Sequence, residues 1–153
     1  MPFSFVRLLN ELGRDIPRPV FDPPSLTPLR KPLAESTVGL FLSCGVQCVD
    51  DPMLAETEDI SFRLVHRDLP REKLVMAHKT VVRKWADEDI NVGYPIDAMR
   101  ALESDGTIGR LAHTAVSIVG SIERYTELME QTLPAVKAVY DAQGVDLVLM
   151  VPF

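Results

Sequence analysis

Residues 37–51 read TVGLFLSCGVQCVDD, and this stretch decides the fold class of the chain. It is apolar from residue 38 to residue 42 and then breaks into Ser43, Cys44 and Gly45. A short apolar run bounded by turn residues is typical of a strand buried on both faces of a parallel sheet. In open α/β sheets, ligands bind just beyond the carboxyl ends of the strands. The loop after this strand is therefore the first candidate for a functional site.

The rest of the chain alternates predicted strands with predicted helices. Four further apolar or alternating runs predict strands, an edge strand at 61–66, then 73–77, 112–119 and a buried strand at 145–151. Apolar spacing of three and four predicts a helix from Pro95 to about Ser104 and another at 122–142, and residues 80–93 are assigned little order. Pro134 predicts a kink or break in the second helix, and Gly144 its end. This order predicts an α/β three-layer fold around a mostly parallel open sheet of four or five strands, Rossmann- or flavodoxin-like.

The first 36 residues differ in pattern from the rest. Apolar residues spaced along 3–12 predict an amphipathic helix that ends at Gly13. Six prolines in residues 17–32 exclude a helix or a central strand there and indicate an extended arm, which wraps over the domain or binds a partner. We predict an N-terminal helix and proline-rich arm over 1–36 and one α/β domain over 37–153.

Composition excludes several classes of protein. The 153 residues carry a net charge of −6 with no Lys/Arg cluster, which argues against nucleic acid and anionic membranes as partners. No apolar run approaches the roughly 20 residues of a spanning helix, and the N-terminus lacks the features of a signal peptide. We expect a cytoplasmic protein whose two cysteines are reduced thiols.

Four segments together resemble a known family. They are VGLFLSCG at 38–45, DISFRLVHRD at 59–68 with the strand and His78 that follow, DINVGYPIDAMRALESDGTIG at 89–109, and GVDLVLMVP at 144–152. As an ordered set they resemble the selenoprotein B family of the glycine, sarcosine, betaine and D-proline reductases.

The resemblance implies a subunit or fragment related to the B component of these reductases, which binds a small amino-acid-like substrate for thiol-dependent reductive C–N cleavage. Family members of the reductase type place a selenocysteine or cysteine just after the last strand, whereas the sequence stops at Phe153. Two expectations stay open: a truncated or processed piece whose nucleophile is supplied by another chain, or a non-catalytic α/β binding or assembly module that has lost the nucleophile. A gene that continues past Phe153 into a Cys or selenocysteine segment would favour the first.

Three residues are candidates for catalysis. Cys44 and Cys48 form a thiol pair that could cycle between dithiol and disulfide, although C-x3-C is not a redox signature and free Cys is often a small buried residue. His78 matches the family pattern and is an acid or base near neutral pH, or else anchors its loop by a hydrogen bond.

Six residues are candidates for binding the substrate. Their predicted positions at strand ends or at the start of a helix favour this role, and Asn91 also matches the family pattern; they are Ser43, Gly45, Asn91, Tyr94, Gly120 and Ser121. We expect the 43–48 turn, His78 and Asn91 to share one edge of the sheet.

The sequence calls for neither a cofactor nor a metal. Zinc needs three or four ligands, and only the convergence of several predicted loops would bring Cys44, Cys48, His66 and His78 together. This is weak evidence, so we predict no metal site. Nothing indicates a nucleotide, flavin or haem. The last strand has no following helix to cover it, which predicts a homo- or hetero-oligomer.

Overall fold

The computed structural model describes residues 22, 23, 25, 27–78, 80 and 83–153. The helix predicted at 3–13 lies outside them. The strands are β1 (Thr37–Leu42), β2 (Val46–Cys48), β3 (Arg63–His66), β4 (Leu74–Met76), β5 (Arg110–Leu111), β6 (Thr114–Ser117) and β7 (Leu147–Val151). The helices are α1 (Arg83–Glu88), α2 (Ile96–Ser104), α3 (Tyr125–Glu127) and α4 (Leu133–Gln143), with a π-helical stretch, Leu128–Thr132, between α3 and α4. Short 3-10 turns occupy Leu33–Glu35, Arg71–Lys73 and Ile90–Val92.

Strand β1 is the centre of the main sheet. Strand β7 pairs with it in parallel along one side, while β5 and β6 pair in parallel with its start and its end on the other side. Strand β3 pairs antiparallel with β6 and forms an edge, as predicted for 61–66. The mixed α/β class is confirmed, and the parallel, three-layer Rossmann- or flavodoxin-like arrangement stays a prediction.

The side chains of β1 alternate between two apolar clusters because successive residues of a strand point to opposite faces. Val38, Leu40 and Leu42 belong to the largest cluster, which includes Ile96 and Met99 of α2. Phe41 instead packs in the cluster formed by Val116 with Val136 and Tyr140 of α4. The apolar run that identified the strand therefore supplies both faces of the sheet.

Helix α2 ends at Ser104 as the sequence predicts, and Pro95, predicted as its first residue, is instead its N-cap. The longer helix begins at Tyr125 and ends at Gly144, which adopts φ +66. The chain stays helical through Pro134, but the regular α-helix is interrupted just before it by the π-helical stretch Leu128–Thr132. A proline ring clashes with the carbonyl four residues earlier, and the wider π turn relieves that clash.

Three predictions about local structure are wrong. The 43–48 segment is not one loop, because Val46–Cys48 pairs antiparallel with β4 in a separate two-stranded sheet. Part of 80–93 is ordered as α1 and a 3-10 turn. The last strand is not buried: Val148, Leu149 and Met150 are exposed, since β7 pairs only with β1 among the described residues.

Candidate functional site

The carboxyl ends of three strands meet at one edge of the sheet. Beyond β1, the Ser43 amide donates to the carbonyl of Val151 in β7 at 3.2 Å, and the Gly45 amide donates to Ile118 after β6 at 2.8 Å. Gly45 in turn accepts a 2.9 Å hydrogen bond from the amide of Ala77, just after β4. These bonds bring together Ser43, Cys44, Gly45, His78 and Gly120, which we call the carboxyl-end cluster.

The imidazole of His78, in the carboxyl-end cluster, is fixed by contacts with Gly120 and Phe153. Its Nδ1 accepts a 3.2 Å hydrogen bond from the Gly120 amide, and its ring meets that of Phe153 edge-on at 6.2 Å between centroids. The residue is only 5% exposed, and this burial lowers the pKa of the imidazole. His78 is therefore neutral at pH 7, and because Nδ1 is an acceptor the proton resides on Nε2.

Gly120 is required by its closeness to that ring. A Cβ at this position would lie 2.8 Å from His78 Cε1, a distance that a side chain cannot occupy without moving the imidazole. The next residue, Ser121, is exposed and adopts the left-handed conformation at φ 57, which a non-glycine residue rarely does. The backbone after β6 can therefore lie against the His78 ring only because residue 120 is glycine, and it turns at Ser121.

Ser43 ties the end of β7 to the end of β1. Its Oγ accepts a 2.9 Å hydrogen bond from the Phe153 amide and donates a long one, 3.5 Å, to the Val151 carbonyl. The polypeptide after β7 therefore passes directly beside His78. Phe153 was missed as a site residue, and its place just after an apolar strand and a proline was the signal for it.

The two cysteines have different surroundings. Cys44 is fully buried and its Sγ donates to the Gly93 carbonyl at 3.4 Å. Burial raises the pKa of the Cys44 thiol to about 11, so the thiol stays protonated at neutral pH. Cys48 ends β2, where its Sγ lies 3.8 Å from an oxygen of Asp50. Both cysteines are free thiols.

Asn91 and Tyr94 flank Gly93, whose carbonyl accepts from Cys44, but their side chains have other surroundings. The Asn91 amide donates to Asp89 and Asp97 at 2.9 Å, and its carbonyl accepts from the Asp97 amide at the start of α2. Tyr94 is 1% exposed, and its hydroxyl has no hydrogen-bond partner among the residues that the structure describes. Burial raises the pKa of Tyr94 to about 12. The contacts unite Ser43, Cys44, Gly45, His78 and Gly120, while Asn91 and Cys48 are tied elsewhere.

Within the part of the chain that the structure describes, no group of three or more His, Cys, Asp or Glu side chains is placed to hold a metal ion. None of the helices in that same part is long and apolar enough to cross a membrane.

Comparisons with known proteins define the class. A family model described as glycine/sarcosine/betaine reductase selenoprotein B matches residues 10–152. The D-proline reductase subunit gamma of Acetoanaerobium sticklandii is 30% identical over 147 residues, which cover 96% of this chain and 61% of that protein. The glycine reductase complex component B subunit gamma of Carboxydothermus hydrogenoformans is 26% identical over 144 residues, 89% of this chain and 32% of the relative.

A third relative, the sarcosine reductase complex component B subunit beta of Peptoclostridium acidaminophilum, is 29% identical over 124 residues, 74% of this chain and 28% of that subunit. No solved structure matches the chain significantly. The chain belongs to the glycine/sarcosine/betaine reductase selenoprotein B family. It spans about three-fifths of the length of the D-proline reductase subunit and about a third or less of the other two.

Proposed function

We propose that the chain is a subunit of a reductase complex of the glycine, sarcosine, betaine or D-proline type, and that it binds the substrate at the carboxyl-end cluster. Membership of the family supports the first part, since its relatives are named as subunits of such reductases. The convergence of three strand ends on His78 supports the second, because ligands of open α/β sheets bind at that edge.

A single observation carries the proposal: Nδ1 of His78 accepts a hydrogen bond from the Gly120 amide, so the neutral ring carries its proton on Nε2, and burial lowers its pKa. The substrates of these reductases are amino acids or their N-methylated forms, and each carries a carboxylate. A hydrogen bond from Nε2–H to that carboxylate is charge-assisted and therefore stronger than a neutral one. The exposed turn at Ser121 completes the binding surface on the side of β6.

Reductive cleavage of a C–N bond consumes two electrons and two protons, which two thiols supply when they form a disulfide. Cys44 is a poor member of such a pair, because its thiol is buried, bonded to Gly93 and held protonated. We propose that the reducing thiol comes from a partner polypeptide, next to the end of β7 beside His78. We also propose the cytoplasm as its location and the three-layer, Rossmann- or flavodoxin-like arrangement as its fold.

The test is substrate binding by His78 variants. Titration calorimetry with glycine, sarcosine, betaine and D-proline should identify a ligand, and His78→Ala should weaken it by roughly 10- to 100-fold, the worth of one charge-assisted hydrogen bond. His78→Gln should recover part of the affinity, because its amide restores a donor near Nε2.

His66→Ala is the matched control, since His66 lies on β3 with its side chain 55% exposed. It should leave the affinity unchanged. The proposal fails if none of the four compounds binds, or if His78→Ala binds as well as the unaltered chain while circular dichroism shows both to be folded.

A non-catalytic binding or assembly module is the second candidate, and the burial of Cys44 favours it. The two functions separate in an assay of the assembled reductase complex. Full turnover with the Cys44→Ala and Cys48→Ala variants would assign the redox chemistry to the partner, whereas loss of turnover with either would return it to this chain.

A further inference from the structure

A cavity of about 250 Å³ lies among the 3-10 turns Arg71–Lys73 and Ile90–Val92 and the start of α2. Four charged side chains line it, those of Arg71, Asp89, Asp97 and Arg100. Apart from Asn91, the rest of its lining is apolar and includes Leu74, Ile90 and Ile96. A water molecule takes about 30 Å³ in the liquid, so the cavity has room for a solute equivalent to roughly eight waters. We call it the charged cavity, and it shares no residue with the carboxyl-end cluster.

The two carboxylates of the charged cavity are held together by Asn91. Its side-chain amide donates to Oδ1 of Asp89 and to Oδ2 of Asp97, each at 2.9 Å. Within the described residues, the hydrogen bonds to Asp89 all reach Oδ1, so Oδ2 remains an acceptor. Like charges this close repel each other, and a cation beside them relieves the repulsion. The structure describes no third His, Cys, Asp or Glu side chain that would complete a metal site here, so an ammonium group is the cation that fits.

Arg71 brings the opposite charge to the same cavity. Its Nη2 donates to the backbone carbonyl of Asp87 at 3.2 Å. The hydrogen bonds from Asn91 lower the pKa of Asp89, and the nearby charge of Arg71 lowers it further. In the described part of the chain these two residues nevertheless form no ion pair with each other, whereas Arg100 pairs with Asp97 at 3.1 Å. A guanidinium and a carboxylate therefore line one small cavity and each keeps capacity for a further partner.

We propose that the charged cavity binds a small zwitterion, an α-amino acid whose side chain is apolar or absent. The ammonium group donates to Asp89 Oδ2 and to Asp97, and the carboxylate accepts from Arg71, because a guanidinium presents several N–H donors that match a carboxylate. The apolar lining packs against the carbon atoms of the ligand. A ligand with one charge alone leaves part of the cavity unmatched. This site is additional to the substrate site proposed above and does not involve His78.

Titration calorimetry of the His78→Ala chain isolates the charged cavity, because that variant lacks the Nε2 donor of the carboxyl-end cluster. D-Proline carries both charges and an apolar ring, and a single equivalent should bind. Acetate and methylamine each carry one end of the zwitterion. They should bind at least about tenfold more weakly, because each forgoes the charge-assisted hydrogen bonds of the other end. The comparison of ligands decides the question even where a variant of the cavity fails to fold.

Arg71→Gln and Asp89→Asn, each added to His78→Ala, should weaken D-proline binding by roughly 10- to 100-fold, the worth of a hydrogen bond to a charged group. Asp89→Asn keeps a side-chain oxygen to accept from Asn91, so the turn retains its cap. Lys84→Gln and Glu72→Gln are the matched controls. Both residues are exposed neighbours in the sequence that do not line the charged cavity, and both substitutions should leave the affinity unchanged.

The proposal is overturned if the His78→Ala chain binds no D-proline, or if acetate or methylamine binds as tightly as D-proline does. It is also overturned if Arg71→Gln and Asp89→Asn bind as well as the two controls while circular dichroism shows all four variants to be folded. The substrate site is tested apart from this one, by comparing Arg71→Gln with and without His78→Ala.

Discussion

At the scale of single residues, the two thiols show how position decides reactivity. Cys44 and Cys48 are four places apart in the sequence, yet one is sealed in the core against Gly93 and the other is half-buried at the end of β2. A thiolate is the reactive form of cysteine, and burial disfavours a charged group. The C-x3-C spacing therefore does not by itself make a redox pair.

We expect iodoacetamide at pH 8 to modify Cys48 at least about tenfold faster than Cys44. The physical reason is that the Cys44 thiol is inaccessible and its pKa is raised to about 11 by burial, so little thiolate is present. Mass spectrometry of peptides after timed quenching measures both rates. Equal rates in the native protein would contradict the burial of Cys44, and equal rates in urea are the control.

At the scale of elements, a buried hydrogen bond fixes helix α4 on strand β1. The hydroxyl of Tyr140 donates to the Leu40 carbonyl at 2.8 Å, and burial raises the pKa of this phenol. Gly39 makes the approach possible, because a Cβ there would lie 2.9 Å from the Tyr140 ring. The helix and strand thus meet where the strand has no side chain.

Tyr140→Phe should lower the free energy of unfolding by about 1 to 2 kcal/mol, the cost of losing a buried hydrogen bond to a carbonyl. Urea denaturation followed by circular dichroism measures it. Tyr125→Phe is the matched control, since Tyr125 is 69% exposed, and it should change stability very little. Equal effects of the two substitutions would show that the bond to Leu40 contributes nothing.

At the scale of the whole molecule, one ion pair joins three parts of the fold. Arg67, just after β3, pairs with Glu103 at the end of α2. Both side chains also bind the backbone of Leu111 in β5. Arg67 donates to the Leu111 carbonyl at 2.9 Å, and Glu103 accepts from the Leu111 amide at 2.8 Å. The hydrogen bond from Arg67 is the main reason why the pKa of Glu103 falls to about 2.

Acid should therefore destabilise the protein in a defined range. The carboxyl is charged in the folded state down to about pH 2, whereas in the unfolded chain it protonates near its ordinary value of 4.5. Its contribution is complete above pH 4.5 and is lost as the pH falls from there to about 2. Glu103→Gln should cost roughly 2 kcal/mol at pH 7, after allowance for screening of a partly exposed pair, and should flatten this part of the pH–stability curve.

Denaturation midpoints at pH 7, 4 and 3 provide the measurement. Glu127→Gln serves as the comparison, because Glu127 pairs with Arg124 on the exposed surface and should matter much less. If the two variants follow the same pH profile, the network around Leu111 does not stabilise the fold as a unit.

Periodicity was sufficient for the elements whose pattern is strong. Strand β1 and helix α2 follow directly from the apolar run at 38–42 and from the spacing of Ile96, Met99 and Leu102. Helix α1 escaped prediction because it buries only Ala86, which leaves no apolar stripe to read. Strand β2 escaped because its pairing with β4 is a long-range contact.

The candidate site divides in the same way. The sequence predicts that polar and glycine residues follow the strands at one edge of the sheet, and it names Ser43, His78 and Gly120 among them. That His78 rests on Gly120, 42 positions away, was not. Nor was the diversion of Asn91 to Asp89 and Asp97. Local patterns report which face a residue prefers, but they do not report which distant residue it meets.

The sequence by itself determined the α/β class, the buried strand β1 and the family, because these depend on local periodicity and on ordered motifs. Only the tertiary structure decided that Cys44 is buried, that His78 accepts a hydrogen bond from Gly120 and that, among the described residues, β7 pairs with β1 alone. The physical reason is that burial, pKa and the pairing of a strand edge depend on neighbours brought together by folding. An apolar run such as 147–151 reads the same whether one strand lies beside it or two.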